Sequence, residues 1–329
     1  MASMITMFLQ SAYSMIDGLF VSNLIGDTAL SAVNVAWPVI AVVTAIGTGV
    51  GCSGAVMMST KQGEGKNEES NIVRANVILA LLASSIVVTI LFLVLLTPLL
   101  KLMGAEGELL RLSQIYGRVM LTGGVLQILS CGLTPLLRND NRAVSAMMIM
   151  VGGLFANLGL DFVFMYVFHM GIGGAAGASL CAQLFTTLCC LIILGTKKTD
   201  PIRFSQFMIR KEYWKKIFKT AVSPFGISLT PSLLILYHNV ACLKFGGDLA
   251  VNAYALISST VGSYRVLLIG VAEGIQPLAS YAYGAHDFHA IRKIRNKAVI
   301  TAIGVSFFLF IFTIATARFY PAIYGYEGE

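Results

Sequence analysis

Apolar stretches long enough to cross a bilayer recur from one end of this chain to the other. Nine stand out, at 2–24, 32–58, 72–98, 110–135, 143–168, 175–195, 216–243, 251–281 and 298–322. A helix rises 1.5 Å per residue, so each stretch spans the ~30 Å of a hydrocarbon core. Only 12% of the residues are charged and 57% are hydrophobic. A soluble domain carries about twice that charge, so lipid is the natural solvent for most of this chain. Backbone groups in lipid must pair within their own segment, and the stretches are therefore expected to be helices. Pro38, Pro98, Pro135 and Pro231 lie inside them, where neighbouring helices can satisfy the backbone groups that proline frees.

The basic residues fix an orientation. Lys61, Lys66 and Arg74 follow the second stretch, Arg138 and Arg142 the fourth, and Arg292, Lys293, Arg295 and Lys297 the eighth. The longest basic run, Lys197 to Lys219, follows the sixth. The odd-numbered connections are nearly bare or balanced, as with Lys101 and Arg111 against Glu106 and Glu108. The positive-inside rule puts the N-terminus and the even loops in the cytoplasm, in a multi-pass protein of the cell (cytoplasmic) membrane. The net charge of +7 is thereby accounted for without nucleic acid. The six cysteines, at 52, 131, 181, 189, 190 and 242, lack metal-ligand spacing and read as packing residues. The histidines, 169, 238, 286 and 289, form no catalytic or metal constellation, so an enzyme is not expected. No cleavable signal precedes the first stretch.

A repeat underlies the pattern. Gly26-Asp27-Thr28-Ala29 matches Gly247-Asp248-Leu249-Ala250 at an offset of 221. At the same offset Ala32 meets Ala253, Gly63 meets Gly284, Arg74 meets Arg295, and Gly104 to Glu108 meets Gly325 to Glu329. Six helices separate the copies, so both enter the membrane in the same sense, as a parallel six-plus-six repeat. The expected architecture is an all-α membrane protein: about nine helices of a twelve-helix, two-bundle transporter. Residues 1–195 would form the N-terminal bundle, 196–215 a cytoplasmic linker, and 216–329 the first three helices of an incomplete C-terminal bundle, the chain being cut short relative to the repeat.

Several motifs then narrow the choice: Met15-Ile16-Asp17-Gly18-Leu19-Phe20-Val21, Gly26 to Val33, Asn157-Leu158-Gly159-Leu160-Asp161, Gly171 to Ser179, Ala272-Glu273-Gly274-Ile275-Gln276-Pro277 and Tyr281-Ala282-Tyr283-Gly284-Ala285. In this order they resemble the multidrug and toxic compound extrusion family. Two positions depart from its pattern. Phe162 stands where the family often has proline, which predicts a smaller local bend, and Ser179 stands where many members have threonine.

Acids inside hydrocarbon cost at least ~2.5–3.5 kcal/mol each on insertion scales, so they are functional candidates by default. Asp17, Asp161 and Ser179 all lie eight to ten residues from an external loop, about 12–15 Å deep. Asn157 shares a helix face with Asp161, and Gln183 with Ser179. Taken alone, these residues fit either a site for a proton or small monovalent cation, or interhelical hydrogen bonding and local capping. The resemblance implies the former: Asp17, Asn157, Asp161 and Ser179 as the site of a coupling H⁺ or Na⁺, with no other metal or cofactor. Gln183, Glu273 and Arg265 form a secondary set. Glu273 and Arg265, two turns apart, would partly neutralise one another through an intervening group; Glu273 reads as a second cation or substrate site, or equally as a gate or structural salt bridge near the cytoplasmic end. His238 reads as an interhelical hydrogen-bonding group.

The resemblance further implies a monomeric antiporter in contact with lipid, exporting amphipathic or cationic organic compounds such as drugs by alternating access. Competing readings are a related flippase for a lipid-linked precursor and a non-functional truncated fragment.

Overall fold

The structure is a computed structural model that describes residues 27–196 and 206–316, without some of the side chains between 236 and 263. Every regular element among the described residues is helical. In chain order these are α1 (Asp27–Gly63), α2 (Asn67–Leu102), α3 (Gly107–Thr122), α4 (Gly124–Asn139), α5 (Ala143–Asp161), a π turn (Phe162–Val167), α6 (Gly171–Gly195), α7 (Lys211–Gly284) and α8 (Phe288–Thr316). Five are long and apolar enough to cross a membrane, and α3 with α4 forms a sixth span bent by 57°. These helices are apolar all round. On α2, Leu96 is 1% exposed and Val94 is 73% exposed. A helix greasy on its outward face as well as its inward one has lipid for solvent.

Four spans take forms the sequence did not specify. The fourth breaks at Gly123, where the Gln127 side chain donates through Nε2 to the Met120 carbonyl and closes one backbone group that the break frees. The fifth continues past Asp161 as a π turn, so that Ala143–Val167 remains one span. Without proline after Asp161, the chain widens its helix there instead of kinking sharply. The seventh and eighth are joined, because the backbone is helical from Lys211 to Gly284. That run cannot be straight. His238 and Tyr254 are sixteen residues apart, about 24 Å along a helix, yet their rings stack with centroids at 5.0 Å. The chain therefore doubles back between them, giving α7 two arms. It begins at Lys211, inside the stretch expected to be linker. Just before it, Asn76 of α2 accepts from the Arg210 backbone N–H at 3.0 Å.

Helix α1 is the centre of the assembly. A methyl placed on its Gly47 would lie 2.7 Å from the Ile128 carbonyl of α4, and one on Gly51 would collide with Gly132. Such close backbone approach is how helices associate where burial from water offers no drive. At its other end α1 crosses the second arm of α7. A methyl on Gly63 would strike the Tyr281 carbonyl and sit 2.9 Å from the Ala285 amide; one on Gly284 would strike the Thr60 carbonyl and sit 3.1 Å from the Glu64 amide. Residues 60, 63 and 64 correspond to 281, 284 and 285 under the 221-residue offset. Each contact is thus the image of the other, as a twofold axis through the crossing demands. The two halves of the repeat meet backbone to backbone on that axis.

This crossing lies at the end of the bundle that gathers the basic loops, here called the basic end. There, Arg74 on α2 is 1% exposed and lies 3.4 Å from the Asp140 carboxylate, itself buried. Asn71 accepts from the Arg74 guanidinium at 3.0 Å and Gln62 donates to Asp140 at 3.1 Å. Removing one member of a buried charge pair strands the other. Asp140→Ala is expected to cost about 3–5 kcal/mol, read as a clearly lowered melting temperature of the detergent-solubilised protein. Lys66→Ala, at an exposed ion pair, should leave it nearly unchanged.

Candidate ion-coupling site

Asp161 ends α5 with its side chain fully buried, and Asn157, one turn earlier, is 6% exposed. The Asn157 amide donates to an Asp161 carboxylate oxygen at 3.0 Å. The i, i+4 spacing puts both on one face, and that face looks at α6. A methyl on Gly153, one further turn back, would sit 2.8 Å from the Thr186 hydroxyl, and one on Gly174 would sit 3.3 Å from Cβ of Phe164. The antiparallel register these contacts set carries Ser179 to the level of Asn157 and Asp161. Gln183 lies one turn towards the basic end, and its side-chain oxygen is buried without a partner among the described residues. Ser179 makes no hydrogen bond to Asn157 or Asp161 among the described residues. Asp17, expected to supply the second carboxylate, lies outside the described residues.

One polar group at this depth escaped the sequence reading. Gln127 on α4 is fully buried, and its Oε1 has no partner among the described residues. A methyl on Gly123 would meet the Leu180 side chain, and Thr187 donates to the Leu126 carbonyl at 3.4 Å. These contacts lay α4 alongside α6 in parallel and bring Gln127 to the level of Gln183. Two amide oxygens with unused acceptor capacity thus lie just below the Asn157–Asp161 pair. The signal was available: a glutamine in an apolar run, three residues after a Gly-Gly pair.

The secondary set is corrected in one respect. Glu273 does not share its charge with Arg265. Two turns along one helix are about 12 Å, too far for contact, and Arg265 is exposed without an ion pair among the described residues. Glu273 instead reaches across to α4, where Arg138 lies 2.7 Å away. With Ser280 donating to Asn139 at 3.4 Å and Ser59 to the Pro277 carbonyl at 3.1 Å, it ties the second arm of α7 to α1 and α4 near the basic end. His238 hydrogen-bonds through Nδ1 with the Leu234 carbonyl at 2.8 Å and stacks on Tyr254, a role internal to the α7 hairpin.

Long helices apolar on every face, joined across a local twofold and enclosing a buried carboxylate with its amide partner, define a multi-pass membrane transporter. The MatE family model matches residues 2–163 and 227–329, and the chain belongs to that family. It is 26% identical over 319 residues to the multidrug export protein MepA of Staphylococcus aureus (strain N315), an alignment spanning 95% of this chain and 69% of that protein. It is 25% identical over 302 residues to MepA of Staphylococcus saprophyticus, spanning 91% and 66% respectively. Among solved structures, it matches an outward-facing multidrug resistance MATE transporter of the MOP superfamily with a TM-score of 0.92 at 26% identity, covering 99% of this chain and 72% of the other. A MOP superfamily transporter from Pyrococcus furiosus matches with a TM-score of 0.93 at 25% identity, covering 100% and 73%.

The packing of α5 on α6 can be checked directly. In a background without the native cysteines, Asn157→Cys with Ser179→Cys should cross-link under mild oxidation. Asn157→Cys with a cysteine at Thr196, at the far end of α6, should not. Equal cross-linking of both pairs would contradict the register.

Proposed function

We propose that this chain exports amphipathic or cationic organic compounds in exchange for H⁺ or Na⁺, by alternating access. The observation that carries the reading is the Asp161 carboxylate, 0% exposed in a membrane-spanning helix of a multidrug-export family and held by Asn157 at 3.0 Å. A buried carboxylate in hydrocarbon is stable only when protonated, paired with a cation or hydrogen-bonded. Loading it with a proton or Na⁺ removes its charge, and unloading restores it. That change in net charge can shift the equilibrium between two helix arrangements. Asn157, Ser179 and Asp17 complete the oxygen set, with Gln183 and Gln127 as amide oxygens on the path beneath. The basic end is the cytoplasmic end in this reading.

The contacts at that end give the cycle its closed side. The Gly63–Gly284 crossing and the Arg138–Glu273 pair hold the two halves together there, and inward opening parts them. A flippase for a lipid-linked precursor would call for a strongly basic central cavity. Here the two arginines buried among the described residues, Arg74 and Arg138, each face a carboxylate.

In vesicles containing the full chain, imposed pH and Na⁺ gradients should each be compared for efflux of a lipophilic dye cation. Asp161→Asn should abolish gradient-driven efflux, a loss of at least about tenfold, while leaving insertion and melting temperature near normal. Export by that variant at the native rate would remove the site from the mechanism.

A second expectation concerns the crossing. Gly284→Val places a branched side chain against the Thr60 carbonyl and should hold the basic end apart. A cysteine at Ser280, buried in the structure, should then react with a membrane-impermeant thiol reagent from the cytoplasmic side. Gly304→Val, on a glycine with nothing within 4 Å, should leave that cysteine protected.

A further inference from the structure

A cleft of about 550 Å³ opens at the basic end between α1 and the two arms of α7. That volume suits one organic ligand or a lipid chain with its head group. Val56 and Met57 of α1 and Pro224 and Ile227 of α7 give it an apolar wall. The Ser53 and Thr220 hydroxyls meet across its side, and Ser53 also donates to the Ile217 carbonyl at 2.9 Å. Lys61, Glu64, Lys216 and the exposed Tyr283 stand among its lining residues.

The charges at this mouth are not balanced. Lys61 lies 2.9 Å from Glu64 and 2.9 Å from Glu69, and Lys66 lies 3.1 Å from Glu64. These four groups form a quartet with no net charge. Lys216 is exposed and has no ion pair among the described residues, and along the same turns of its helix Lys211, Lys215 and Lys219 outnumber Glu212. The uncompensated charge at the mouth is therefore positive. An organic cation would meet repulsion at this mouth, whereas an anion would be attracted.

We propose that the cleft binds one anionic phospholipid from the adjoining leaflet. Its acyl chain would lie along Val56, Met57, Pro224 and Ile227, and its phosphate would sit at Lys216 within reach of the Thr220 and Ser223 hydroxyls. Lysines beside a membrane attract acidic head groups, and here the apolar wall adds a seat for the tail. The walls come from both halves of the repeat: Cys52 to Glu64 on one, Lys216 to Ile227 with Gln276 and Tyr283 on the other. Lipid seated in this cleft consequently favours the arrangement in which the basic end is closed.

The test is native mass spectrometry of the full chain released from detergent, titrated with phosphatidylglycerol or phosphatidylcholine. One phosphatidylglycerol should be retained at least about fivefold better than phosphatidylcholine. Lys216→Gln and the cleft-filling Ser223→Trp should each remove that preference, while Lys219→Gln, outside the lining, should preserve it. Melting temperatures without lipid identify any variant that fails to fold; the charge-only variant Lys216→Gln carries the test if the bulky one does. Equal retention by Lys216→Gln and the native chain overturns the proposal. So does an equal loss from Lys219→Gln, which would mark diffuse surface charge, or competition by free glycerol phosphate at the same concentration as the lipid, which would mark an anion site with no use for the tail.

Discussion

Everything in this fold follows from the absence of water in its surroundings. A polar side chain within the bundle must find its partner in the protein, and the described residues show three solutions. Asn157 hydrogen-bonds Asp161 along one helix. Arg74 and Asp140 pair across two helices, with Asn71 and Gln62 completing the cluster. Gln127 bridges a broken helix to a carbonyl that the break released. The last two are structural and sit at a bend or at the basic end. The first places an ionisable group inside a span, where a neutral amide one turn away donates to it.

The second organising fact is the local twofold. Two copies of one helical pattern meet where α1 crosses the second arm of α7, through glycines that are each other's image. Only the lack of a side chain at both positions lets the carbonyls of Thr60 and Tyr281 come so near. A joint with backbone on both sides and few side chains interlocked can separate without repacking a core, which suits a surface that opens and closes. The Arg138–Glu273 pair beside it adds a charged contact between halves that Ser59 also links, by donating to the Pro277 carbonyl.

Much of this was legible in the sequence. The spans emerged from hydropathy and length, and the offset of 221 already matched Gly63 to Gly284. Asn157 with Asp161 followed from helical spacing alone. What escaped had physical causes. A bend at Gly123 and a π turn after Asp161 depend on tertiary packing, which a hydropathy profile does not contain. The α7 hairpin keeps its backbone helical around a reversal, so the seventh and eighth spans are continuous where a loop was expected. Glu273 was matched to Arg265 because they share a helix, whereas its partner Arg138 is 135 residues away in sequence and is brought near only by the meeting of the two halves. Gln127 was passed over because one amide barely disturbs the hydropathy of its run. Asp17 lies outside the described residues, so its meeting with Asp161 rests on the depth argument from sequence alone.

The central claim is that the Asp161 carboxylate binds the coupling ion and releases it. Difference infrared spectroscopy of the full chain in lipid, recorded on switching Na⁺ or pH, observes that carboxyl directly. The account predicts a carboxyl band that appears and disappears with the ion, a protonated-carboxyl band for H⁺ or a shifted carboxylate stretch for Na⁺, and that is missing in Asp161→Asn. The same band persisting unchanged in Asp161→Asn, or no carboxyl change on either switch, would contradict it.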